Sequence, residues 1–239
     1  GEIVWWSVND DREFATTRSA ADQLTRVITA SNGRRLAVAG SRNRHGWCEI
    51  YDTESRLGQV RRQVAGTAVV SLARSPAGEM LAIGTDQGHV VLWNFTNGAE
   101  RWRKEISSSE IWSVAFHPTD DLLAATTLSA NGSGRVQLLR ASSGESLGEL
   151  TFGKSGPLYG VAFSPRSGQL VAGGRNGVLF VGDVSTRQTR RLDSHNAVRP
   201  LLAFDWTAEG DRLLLARADQ QLQVVRFPDG KLERSLPVH

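Results

Sequence analysis

The chain contains one cysteine, one methionine, two tyrosines and three lysines in 239 residues. A single thiol, Cys48, excludes an internal disulfide and any metal site built from clustered cysteines. Its place in an apolar–polar alternating string reads as that of a small buried hydrophobe. No apolar run approaches the roughly 18 residues of a membrane-crossing helix, and the first residues lack the basic-then-apolar layout of a secretion signal. A cytoplasmic protein without membrane contact is the expectation. Because the chain opens abruptly on GEIVWWSV, it reads as part of a longer parent carrying other domains. Apart from Lys104, Lys154 and Lys231, its 28 basic residues are arginines, set against 25 acidic residues for a net charge of +3. That balance is too small to mark a nucleic-acid binder by charge alone.

Signs of catalysis are equally scarce. His45, His89, His117, His195 and His239 fall at turns or corners without ligand-like spacing, so no metal is expected. NGSGR (131–135) is a loop that contains glycines, and no helix follows it to form a phosphate cradle. The carboxylate pairs Asp10–Asp11 and Asp120–Asp121 sit in turns, where Asp commonly bonds its own backbone. No catalytic residue and no cofactor is assigned, and the chain is read as a non-enzyme.

What is present is repetition. GVAFSPRSGQLVAGGRNGVLFVGDV (160–184) has counterparts at 71–95 and 113–140. The corner residues Gly33, Gly78, Asp120, Gly168 and Gly210 are separated by 45, 42, 48 and 42 positions. One unit reads VVSLARS (69–75), PAGE, MLAIGT (80–85), DQGH, VVLWNF (90–95), TNG, AERWRKEI (99–106): four short strands and their turns. No window shows helical amphipathicity. An all-β chain of four-stranded antiparallel units follows. One such sheet cannot cover both of its faces, so the units must stack.

VAFHPTDDLLA (114–124) and VAFSPRSGQLVAGG (161–174) resemble the strand–corner–strand phrase of the WD-repeat family. VVLWN (90–94), EIYD (49–52) and FVGDV (180–184) occupy its Trp-Asp position, and His195 stands where its Gly-His would be. The resemblance implies a single β-propeller domain over 1–239. It would comprise a partial blade at 1–18 and five full blades at about 22–64, 67–107, 109–152, 155–193 and 196–236, within a ring of six or seven completed from outside these residues. It also implies a scaffold or sensor in signalling that recognises a protein or peptide partner on the narrow face. Trp112 and Tyr159, in matching slots, are expected either at that rim or packed between blades. Arg42, Arg44, Arg135, Arg175 and Arg217 in the turns between second and third strands, with Arg199 in a neighbouring connection, are expected to form a positive mouth suited to an acidic or phosphorylated ligand. The competing reading is a solvated arginine-rich surface produced by GC-rich coding. Two other functions stay open at this point: an enzyme whose propeller hosts or gates a catalytic site, and nucleic-acid binding through the arginines.

Overall fold

In a computed structural model the described residues are all but 8, 10, 154, 193–198 and 238–239. His195, His239, Lys154 and the first member of the Asp10–Asp11 pair lie outside them. The described residues contain 22 strands and no helix. A two-stranded sheet, β1 (Glu2–Ser7) and β2 (Arg12–Arg18), comes first. Sheet two holds β3 (Gln23–Thr29), β4 (Arg35–Arg42), β5 (His45–Asp52) and β6 (Gly58–Val64). Sheet three holds β7 (Val69–Arg74), β8 (Met80–Thr85), β9 (His89–Asn94) and β10 (Glu100–Glu105). Sheet four holds β11 (Val114–Phe116), β12 (Leu122–Leu128), β13 (Gly134–Arg140) and β14 (Ser146–Thr151). Sheet five holds β15 (Leu158–Phe163), β16 (Gln169–Gly174), β17 (Leu179–Asp183) and β18 (Thr189–Arg191). Sheet six holds β19 (Leu201–Trp206), β20 (Arg212–Arg217), β21 (Gln221–Arg226) and β22 (Leu232–Pro237).

Every sheet is an antiparallel meander in chain order. The first strands of successive four-stranded sheets touch one another, β3 to β7, β7 to β11, β11 to β15 and β15 to β19. Sheets joined through their first strands share an axis, which is the blade arrangement of a β-propeller.

The packing rule is written in the second strand of each sheet. A strand sends alternate side chains to opposite faces, and in β4, β8, β12 and β16 each face meets a neighbouring sheet. In β4, Leu36 and Val38 pack back onto Ile3 of β1, whereas Ala37 and Ala39 pack forward with Leu81 and Ile83 of β8. Ala82 of β8 then packs forward against Leu123 and Ala125 of β12, and Ala124 forward against Leu170 and Ala172 of β16. Val171 finally meets Leu213 and Leu215 of β20. Strands buried on both faces must be continuously apolar, which is why LAVAG, LAIG and LVAG show no polar alternation. Each fully buried Leu, Ile or Val stabilises the stack by about 1.5–3 kcal/mol.

Polar groups fix the joints. The Glu49 carboxylate is buried, and it accepts the Ala20 N–H (2.8 Å), the Trp47 Nε1–H (2.7 Å) and the Tyr51 hydroxyl. It thereby ties the connection after β2 to sheet two. Burial, and then the bond to Glu49, pushes the Tyr51 hydroxyl up to about 12. Trp93 is buried between sheets two and three, and its Nε1–H has no hydrogen-bond partner among the described residues.

Candidate interaction face

The connections between sheets, the starts of first strands and the turns between second and third strands share one end of the axis. At that end four first strands contain a β-bulge. Leu24 and Arg26 pair with Gly40 and Ala39, skipping Thr25; Val69 and Ser71 skip Val70; Leu158 and Gly160 skip Tyr159; Leu201 and Ala203 skip Leu202. In sheet four the corresponding residue is Trp112, beside Ser113, whose carbonyl accepts the Thr126 N–H at 2.9 Å. A bulge frees one side chain from the pleat and re-aims it. Thr25, Val70, Trp112, Tyr159 and Leu202 therefore occupy one repeated position around the axis.

The structure brings Trp112 and Tyr159 together, with ring centroids 5.3 Å apart and planes tilted by 57°. Both are half-buried, so packing between sheets and exposure at the rim are combined in one pair. Leu202 continues the arc at 58 % exposure, and Val70 flanks it on the other side. Neither was identified from the sequence. The available signal was their shared slot, which aromaticity marks only in the two middle sheets.

The arginines divide. Arg44, Arg175 and Arg199 are exposed. Arg42 lies over the Trp47 ring, 4.8 Å from its centroid. Arg135 is held by Glu149 at 2.9 Å and by the Leu128 carbonyl. Arg217 departs from the expected surface position. It is the last residue of β20, 7 % exposed, and it donates through Nη1 to the Gly177 carbonyl (2.7 Å) and through Nε to Gln223 (2.8 Å). It clamps a turn of sheet five to sheet six. The reason is strand length: the apolar strand runs through ARA before turning, which puts this guanidinium inside the stack.

Acidic residues at this end secure loops. Asp86 accepts the Thr67 and Ala68 N–H groups at 2.9 and 3.0 Å, and Asp22 accepts the Asn43 N–H at 2.7 Å. At the opposite end a cavity of about 610 Å³ opens over Met80, Leu92 and Phe116. There Asp121 caps Ser142 at 2.7 Å, and His117 Nδ1 accepts the Asp120 N–H at 3.0 Å. Among the described residues no cluster of His, Cys, Asp or Glu is placed to hold a metal. The arrangement offers rigid apolar area, hydrogen-bond donors and positive charge, the ingredients of recognition.

Comparison with known proteins agrees with this geometry. The family model "WD domain, G-beta repeat" matches residues 103–136, from β10 into β13. The chain is similar to the WD repeat-containing protein SL1-17 of Schistosoma mansoni, 24 % identical over 165 residues that cover 69 % of this chain and 52 % of that protein. It is similar to autophagy-related protein 18 of Meyerozyma guilliermondii, 28 % identical over 46 % of this chain and 19 % of that protein. The 77 kDa echinoderm microtubule-associated protein of Lytechinus variegatus is 22 % identical over 92 % of the chain and 32 % of its own length. The chain thus spans about half, or less, of the relatives it matches.

Proposed function

We propose that this chain, a member of the WD-repeat family, is a non-catalytic recognition platform that binds a protein partner at the axis end carrying Trp112, Tyr159 and Leu202. The observation that carries the reading is the Trp112–Tyr159 ring pair, seated at the repeated first-strand slot and partly open to solvent. Large aromatics held rigid by their neighbours anchor partners because they bury much area at little cost in side-chain freedom. The exposed guanidiniums of Arg44, Arg175 and Arg199 favour an acidic partner segment and speed its encounter. A continuous phosphate-tracking stripe for nucleic acid has less support, since Arg42, Arg135 and Arg217 are engaged within the fold.

Further β-structure is read as continuing the stack, because Val4 and Trp6 on one flank and Leu214 and Leu236 on the other are exposed apolar side chains. The test is comparative affinity capture from lysate with wild type, Trp112→Ala, Tyr159→Ala and Arg166→Ala, the last at the opposite end. A partner retained by Arg166→Ala and weakened at least about tenfold by the aromatic variants supports the platform. Equal capture by all four proteins removes it.

A further inference from the structure

We infer that the cleft between sheets two and three, at the same end of the axis, binds a phosphate monoester. The inference rests on the reading of this end as the ligand-binding face and names the chemistry of one of its subsites. The cavity measures about 450 Å³ and is lined by Arg44, His45, Gln63, Thr67, Gln87 and Arg103, with no carboxylate among the described lining residues. Arg44 and Arg103 are donors only, Gln63, Gln87 and His45 can donate as well as accept, and Thr67 gives its hydroxyl proton to Asp86.

Arg44 is the informative member. It follows Asn43 in the two-residue turn between β4 and β5, with φ of +63° after +49° at Asn43. Such a turn favours glycine at its second position, and an arginine there carries a steric penalty. Two other arginines with positive φ are engaged within the fold: Arg56 lies over the Phe14 ring, and Arg187 donates to the Leu147 carbonyl at 2.7 Å. Arg44 makes no hydrogen bond or ion pair among the described residues, while Asp22 holds its turn in place through the Asn43 N–H. A penalised backbone position that presents an unengaged guanidinium to a cavity points to a ligand outside the chain.

Arg103, on the other wall, commits Nη2 to Glu100 at 2.7 Å and keeps further donors on its guanidinium. Two planar forks and two carboxamides offer more donors than the two oxygens of a carboxylate accept. A phosphate monoester, with three terminal oxygens and nearly two negative charges, matches them. Arg42, stacked on Trp47 in the same hairpin, adds positive charge nearby. The phosphate could come from a phosphorylated protein side chain or from a nucleotide, and the probes below separate these sources.

Isothermal titration calorimetry of the 239-residue chain at low salt would compare a phosphoserine peptide, its unphosphorylated twin, AMP and inorganic phosphate. The phosphorylated probes are expected to bind, with Arg44→Gly and Arg103→Ala each weakening them at least tenfold and Arg166→Ala leaving them unchanged. Arg44→Gly relieves the positive φ, so its Tm should not fall below that of wild type, and its loss of binding cannot be attributed to unfolding. A tighter peptide assigns the phosphate to a protein ligand, and a tighter AMP assigns it to a nucleotide. Trp112→Ala should bind these small probes as wild type does, so a failed platform and a failed phosphate site give different results. The inference is overturned if no phosphorylated probe binds better than the unphosphorylated peptide, or if Arg44→Gly binds like wild type.

Discussion

Single side chains in this protein act mainly by closing turns and joints. At the Trp-Asp positions the second residue caps the turn that follows its strand. Asp52 accepts the Ser55 N–H at 2.8 Å, Asn94 the Thr96 N–H at 2.9 Å, and Asp183 the Thr186 N–H at 2.9 Å. The Thr186 N–H, followed by the Ser185 hydroxyl, draws the Asp183 carboxyl from 3.8 down to about 2, and the Ser55 N–H lowers Asp52 in the same direction. A carboxyl depressed in the folded state contributes stability that is complete above its unfolded value and is lost as pH falls through its folded value. Melting temperature should therefore drop between about pH 4 and pH 2, and Asp183→Asn should lose part of that acid sensitivity; an unchanged acid limb would contradict the capping role. Cys48 behaves oppositely, since burial, with Glu49 adding to it, pushes its thiol far above the usual range. It should resist a thiol reagent in the native protein and react fully in urea, as followed by absorbance. Fast native labelling would mean that sheets two and three separate readily.

At the scale of the element, sheets are held by what lies on either side of them, and the same slot has different energetic weight in different sheets. Val171 of β16 and Leu214 of β20 are equivalent, but Val171 is fully buried against sheet six whereas Leu214 is 39 % exposed. Val171→Ala should cost about 2–3 kcal/mol in urea unfolding and Leu214→Ala less than about 1 kcal/mol, although the second removes more carbon. Similar losses would contradict the forward-packing rule. This architecture was legible in the sequence because it depends on patterns that one chain displays: the period near 44, apolar second strands and glycines such as Gly78 at corners with φ of +78°. MLAIGT was read at 80–85 and is β8 (Met80–Thr85). The bulges were not legible, since one extra residue in an apolar strand changes which face a side chain takes without changing composition. Leu202 and Val70 went unnoticed for that reason. Arg217 was read as a surface residue because the sequence marks the turn after it but not the carbonyl of Gly177 that receives it.

Over the whole molecule, hydrophobic clusters join each described sheet to the next, from Ile3 against Leu36 to Val181 against Leu213. Two outward faces keep apolar side chains exposed, Val4 and Trp6 on β1 and Leu214 and Leu236 on sheet six. Exposed apolar patches of this kind promote association. Sedimentation velocity should show concentration-dependent self-association of these 239 residues, reduced by combining Trp6→Lys with Leu214→Lys; a monomer at all concentrations would argue that the faces are inert. The stacked sheets are a rigid support, and function is assigned to the one end where bulges, connections and exposed arginines coincide. Hydrogen–deuterium exchange with and without the captured partner tests that assignment most directly. Protection is predicted at 110–114, 157–161 and 200–204, with little change at the corners 76–79, 118–121 and 165–168. Protection confined to those corners would place the partner at the wrong end of the axis and contradict the account.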